Sequence, residues 1–385
     1  MNPIYLDSHA TTPVDPRVLD AMLPFFTEHF GNASSKNHPF GWKAGKAVEH
    51  AREQVALLIG VRFRDVVFTS GATESNNLAI KGAAARAPLH RRLVVTVATE
   101  HLAVLDPCRR LERDGFRVTR LGVDADGRLD LQQVSDAIAD DTLLLSVMSG
   151  NNEIGVLHPL PEIAALARER GVLFHCDAVQ SAALIPMHAR ELGIDLVSLS
   201  AHKMYGPKGV GALYVAKKEP AIDLEALIDG GGHERGYRSG TLNVPAIVGF
   251  GRAAELCREN AIAEASRLRT LRDRLWTGLS QSMDGIFVNG AMQERLPQNL
   301  NVRFEGVHGE TLLKAMANDL AVSSGAACAT ASAEPSHVLR ALGLTDEQAR
   351  ASIRFGLSRF TTEQEIDTAI IKVSDATRHL RKTTK

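Results

Sequence analysis

Between about residues 60 and 215 the chain repeats one rhythm: a short β-branched run, a polar or glycine-rich cluster, then a longer helical pattern. The runs "DVVFTS", "RRLVVTVAT", "TLLLSVMS", "GVLFHCD", "DLVSLSA" and "GALYVA" read as strands, with helices such as "ESNNLAIKGAAARA", "LDLQQVSDAIAD" and "LPEIAALARER" between them. Strand–helix alternation predicts an α/β fold with a mostly parallel sheet covered by helices. No repeat of fixed period and no low-complexity segment interrupts it.

The rhythm stops at "DGGGHERGYRSGTLN" (229–243), and a long helical pattern follows from Val244 to about Met283. Beyond it, the strand-like runs "GIFVNG", "QNLNVRFEG", "DLAVSSG" and "ASIRFGLSR" alternate with helices and predict a smaller α+β domain. The expected division is an N-terminal arm (1–14) packing with the small domain, a large domain (15–257) and a small C-terminal domain (258–385). A hydrophobic content of 44% is ample for two cores.

Charge narrows the partners. With 44 basic against 45 acidic residues the chain has no global field for nucleic acid or an anionic membrane, so a small molecule is the expected ligand. No stretch reaches the roughly 18 apolar residues of a membrane span, and "MNPIYLDSHATTPVD" lacks a basic n-region, which reads as a cytoplasmic protein. The four cysteines, Cys108, Cys176, Cys257 and Cys328, form no C-x-x-C pair and no zinc-like spacing, so neither a disulfide framework nor a metal site is expected. Cys108 and Cys257 fall in helical patterns and read as packing residues; Cys328 stands apart, in the small, polar run "SSGAACATASAEPSH".

In open α/β sheets ligands bind beyond the carboxyl ends of the strands. Five predicted strands end there in polar residues: "GATESNN" after the first, Glu100 and His101 after the second, then Asn151, Asn152 and Glu153, then Asp177 and Gln180, then Ser200, His202 and Lys203. Taken singly, each has a plain structural reading: Gly-x-Thr as a helix cap, His101 as a buried structural imidazole, Asn151–Asn152 as a turn, Lys203 as a solvated side chain. Together they meet the needs of pyridoxal 5′-phosphate: a held phosphate, a lysine for the aldehyde and a carboxylate for the ring nitrogen.

The motifs "YLDSHATTPVDPRV", "FGNASS", "FTSGATESNNLAIKG", "TEHLAVLDPC", "NNEIGVLHPL", "HCDAVQS", "SLSAHKMYGPKGVGALYV", "GGGHERGYRSGT", "SSGAAC" and "SIRFGLSRFTTEQEID" run through nearly the whole chain. In this order the sequence resembles the cysteine desulfurases of NifS/IscS type, class V aminotransferases of the fold-type I pyridoxal phosphate enzymes. That resemblance implies a large domain with a mostly parallel mixed sheet, and conversion of L-cysteine to L-alanine with sulfur passed to an enzyme cysteine. Lys203 would bind the cofactor covalently and move protons, Asp177 would pair with the ring nitrogen, Gln180 would reach the phenolic oxygen and His101 would stack on the ring. Thr73, Ser200, His202 and the backbone at Ala72 would hold the phosphate, joined by Thr241 from the other subunit of a homodimer. Asn152 and Arg354 would grip the substrate carboxylate, and Cys328 would take the sulfur as a persulfide for a protein acceptor, an iron-sulfur scaffold or a thiolation enzyme. The run "SSGAAC" lacks a serine that relatives often carry beside the alanine-cysteine pair, which removes one hydroxyl near the thiol.

Four rivals meet parts of the pattern. A selenocysteine lyase or another class V aminotransferase activity would share the cofactor residues; a scaffold that had lost its chemistry would lack Lys203 or Cys328, and both are present. A metal hydrolase built on "HCD" would use His175 and Asp177, which share a strand face.

Overall fold

A computed structural model describes residues 3–324 and 334–383. Twelve strands form three sheets among the described residues: β1 Ile4–Tyr5, β2 Val66–Thr69, β3 Leu93–Val97, β4 Arg117–Leu121, β5 Thr142–Met148, β6 Leu173–Asp177, β7 Leu196–Ser200, β8 Gly211–Val215, β9 Ile286–Val288, β10 Asn299–Phe304, β11 Leu320–Ala321 and β12 Ser352–Gly356. The central sheet has seven strands in the order β2-β8-β7-β6-β5-β3-β4, and β8 alone runs against the rest. It is the mostly parallel mixed sheet that the alternation requires.

Successive residues of these strands feed opposite cores. Val66 and Phe68 pack into one hydrophobic cluster and Val67 into the other; Leu145 and Val147 part from Leu144 in the same way. Helices cover both faces, which is why the strands read as unbroken apolar runs. The exception is β4, "RVTRL", which the sequence reading passed over. It is an edge strand whose Arg117 and Arg120 face outward to Asp141 and Glu112. Charge on an edge blocks pairing with another chain and hides the strand from a search for apolar runs.

The helix Val244–Ser282 joins the two halves of the molecule. Its first part crosses the helix Pro39–Leu58 at Gly251, where a Cβ would lie 2.5 Å from the Ala51 Cα, so only glycine permits the approach. Its last part packs on the helix Glu363–Thr383 through Gly278 and Ile370. The antiparallel sheet β12-β10-β9 lies beyond it. The N-terminal arm pairs β1 in parallel with β11, then continues to the central sheet, where the Thr12 N–H donates to the His202 carbonyl at 3.0 Å.

The glycine-rich stretch is fastened from inside. Glu234, buried, accepts from Arg52 Nη1 and Nη2 at 2.6 and 2.8 Å and from the Phe68 N–H at 2.7 Å. Arg52 also donates to the Val66 carbonyl at 2.9 Å and lies over the Phe68 ring. One ion pair thus binds helix, edge strand and loop, and removing one partner leaves a buried charge alone. Glu234→Ala is expected to lower unfolding free energy by about 3–5 kcal/mol, read as a lower urea midpoint; an unchanged midpoint would contradict this role.

Candidate active site

A cavity of about 830 Å³ opens at the carboxyl edge of the central sheet. Its wall combines the arm at His9–Thr11, the turn Ser70–Thr73, His101, Asn152, Asp177, Gln180, Ser200, His202 and Lys203 with Arg354 and Glu334–His337 from the C-terminal region. Every residue singled out from the sequence for cofactor or substrate is on this wall except Thr241, which is exposed and away from it. Cys328 lies outside the described residues; Ser323, the first residue of its run, is bridged to Arg354, and Glu334–His337, the last four, line the cavity.

Local folding explains each position. Gly71, at φ 155°, turns the chain from β2 into the helix starting at Ala72. Gly211 of β8 sits against it: a Cβ there would lie 2.6 Å from the Gly71 Cα, so the bare residue lets the helix start reach the sheet edge. The first turn at Ala72–Thr73 therefore lines the cavity, beside His202 and Lys208, and the first N–H groups of a helix have no partner within the helix.

Asp177 closes β6 and is held on both oxygens, by Asn76 Nδ2 at 2.7 Å and by the Val179 N–H at 3.1 Å. Glu100 stands behind it, fully buried. Burial raises its carboxyl well above the ordinary range, opposed by the Met148 N–H at 2.6 Å and reinforced by the charge of Asp177. Of these two acids, Asp177 lines the cavity and Glu100 does not. Lys203, in the turn after β7, donates to the carbonyls of Ala10, at 2.8 Å, and His9.

On the far wall Arg354, buried in β12, donates Nη1 to the Asn152 carbonyl and Nη2 to Asp7, both at 2.9 Å. Its Nε and the Asn152 Oδ1 are buried with no partner among the described residues. The unspent Arg354 Nε–H is a donor that suits a small carboxylate, whereas the Asn152 Oδ1 can only accept, as from an ammonium group. His101 caps the helix Leu102–Arg113: its Nδ1 accepts from the Ala103 N–H at 3.0 Å, which puts the proton of the neutral ring on Nε2.

Other expectations change. Asn151 is a turn residue, as its plain reading had it: its Oδ1 accepts from the N–H groups of Glu153 and Ile154. Glu153 accepts from Ser336 Oγ at 2.6 Å. His175 does not join Asp177 at the cavity; it is buried between Ser146 (2.8 Å) and Ser198 (3.0 Å), and the described residues hold no group of three or more metal-ligating side chains. His9, Thr11 and Asn76 were missed: the first two sit in an arm without periodicity, the third in a polar helix start.

The family model described as aminotransferase class-V matches residues 4–368. A protein of Anaeromyxobacter dehalogenans (strain 2CP-C) named cysteine desulfurase IscS is 59% identical over 379 residues, spanning 98% of this chain and 93% of its own. Another of that name from Colwellia psychrerythraea is 54% identical over 381 residues, spanning 98% of this chain and 94% of its own. A solved structure of a NifS-like protein superposes with a TM-score of 0.90 at 37% identity, covering 97% of this chain and 99% of that one.

Four imidazoles are kept neutral, chiefly by burial: from an ordinary 6.5, His9 and His175 fall to about 3 and His158 and His202 to about 4, His202 with help from the charges of Lys203 and Lys208. Below pH 6.5 the unfolded chain takes up protons on these rings and the folded one does not, so their contribution is whole above that pH and is lost as pH falls toward 4. His175→Gln removes one such ring, and the slope of unfolding free energy against pH between 6 and 4 is expected to drop by up to about 1.4 kcal/mol per pH unit. An unchanged slope would contradict a neutral His175.

Proposed function

This chain belongs to the aminotransferase class-V family and is a pyridoxal 5′-phosphate-dependent cysteine desulfurase, and we propose how its own residues divide the work on L-cysteine. The observation that carries this division is the meeting of Lys203, Asp177 and Arg354, from three separate elements, at one cavity. The donor set fits the cofactor: an amine, a carboxylate steadied by Asn76, and hydroxyl, imidazole and N–H donors at the start of a helix. When bound, pyridoxal phosphate supplies the electron sink that lets the Cα–H bond of cysteine break.

Lys203 would hold the cofactor covalently, and Asp177 would keep a proton on its ring nitrogen. Gln180 would donate to the phenolic oxygen, His101 would lie on the ring face, and Ala72, Thr73, Ser200 and His202 would hold the phosphate. Arg354 and Asn152 bind the substrate carboxylate, and Lys203 moves the proton at Cα. The Cys328 thiolate then attacks the substrate sulfur. An S–S bond forms as the C–S bond breaks, the electron pair left on carbon takes a proton, and L-alanine leaves a persulfide on Cys328. Burial pushes the thiols of Cys108 and Cys257 up to about 12 and that of Cys176 well above its ordinary range, so three of the four cysteines are poor nucleophiles.

A homodimer would let Thr241 reach the phosphate of the other subunit's site. Its support is the exposure of Leu19, Leu23, Phe26, Phe30, Phe40 and Trp42 within one short part of the chain. The working unit would comprise the arm to residue 14, a large domain to 257 and a small domain from 258, with the long helix spanning the boundary. Sulfur would pass to a second protein in the cytoplasm, for iron-sulfur clusters or thio-modification of tRNA or DNA; no helix among the described residues is long and apolar enough to cross a membrane.

With pyridoxal phosphate added, the wild type should show a visible absorbance band that Lys203→Ala lacks. Cys328→Ala should keep the band and lose alanine release from L-cysteine by at least about a hundredfold; undiminished release would indicate chemistry that needs no acceptor thiol. Arg354→Lys gives up the planar fork, and the KM for cysteine should rise about 10- to 100-fold with a smaller change in kcat. An unchanged KM would remove Arg354 from the carboxylate.

A further inference from the structure

His9 is buried where the arm meets both parts of the molecule, and its ring lies in a chain of hydrogen bonds with a fixed direction. Arg295, also buried, can only donate, and its Nη1 is 3.3 Å from the Asn299 Oδ1. The Asn299 Nδ2 therefore faces the other way; it donates to the Glu153 carbonyl at 3.1 Å, which can only accept, and lies 3.1 Å from the His9 Nε2. That leaves His9 Nε2 as an acceptor and its proton on Nδ1, which is 2.9 Å from the Gln180 Oε1. At the far end Gln180 Nε2 donates to the His9 carbonyl at 3.2 Å, another group that only accepts, and Gln180 lines the cavity. Groups with a single role close the chain at both ends, so no member can turn over alone.

We propose that His9 is a positioning residue: its neutral, Nδ1-protonated ring, set by Asn299 and Arg295, locks the Gln180 amide with its oxygen inward and one N–H hydrogen toward the cavity. The His9 carbonyl also accepts from Lys203, so one residue orients two groups of the site. The functional part rests on the reading that Gln180 donates to the cofactor's phenolic oxygen; the tautomer does not.

The test begins with the cofactor-free full chain labelled with ¹⁵N-histidine, the His9 signals being identified by their loss in His9→Asn. Two-bond ¹H–¹⁵N correlations should show a protonated Nδ1 and a bare Nε2; a protonated Nε2 or an imidazolium at pH 7 would overturn the proposal. For function, the pH midpoint of the visible band is compared among loaded variants. A lost donor at the phenolic oxygen should move it upward, by the same amount in His9→Leu as in Gln180→Leu and no further in the double variant. His9→Asn, whose amide can donate from near the Nδ1 position, should restore the wild-type midpoint, with kcat/KM within about threefold of wild type against about tenfold lost in His9→Leu. Equal midpoints in wild type and His9→Leu would overturn positioning. Failure of the wild type to bind pyridoxal phosphate would instead defeat the functional reading and leave the tautomer result standing.

Discussion

The amine of Lys203 donates to the carbonyl oxygens of His9 and Ala10, and that meeting organises much of what surrounds it. It needs a parallel sheet to bring the ends of β6 and β7 to one edge, and an N-terminal arm that reaches that edge. The arm arrives there because β1 pairs with β11 and Asp7 pairs with Arg354 in the C-terminal half. The arm and the two halves of the molecule are therefore fastened together at the wall of the cavity.

The polar interior follows one rule: each charge taken out of water is given fixed partners. Asp177 has Asn76 and a backbone N–H; Arg52 and Glu234 have each other; Arg359 has Asp15 at 2.9 Å, Glu264 at 3.2 Å and the Tyr205 ring. At the cavity, Arg354 and Asn152 each keep a buried polar atom without a partner among the described residues.

Much of this was legible in the sequence because parallel strands buried on both faces must be apolar without interruption and must end in loops at one edge. Asp177, His202 and Lys203 were found by following those runs to their ends. Glu100 ended a run as well, yet it serves the backbone of β5 inside the sheet, a role that type and position alone do not distinguish. Arg354 came through the family resemblance; its local signal is one cation within a buried strand. His9 and Asn76 were illegible because each acts through a residue more than a hundred positions away, and neither periodicity nor capping marks such a pairing. Edge strand β4 was lost to its own charges.

The central claim is that this cavity delivers the sulfur of L-cysteine to one side chain. Mass spectrometry of the loaded protein, digested after brief exposure to sulfur-labelled L-cysteine without reductant, tests it directly. The account predicts one labelled sulfur atom on the peptide carrying Cys328, absent in Lys203→Ala. Label on Cys108, Cys176 or Cys257, or alanine formed with no labelled peptide, would contradict it.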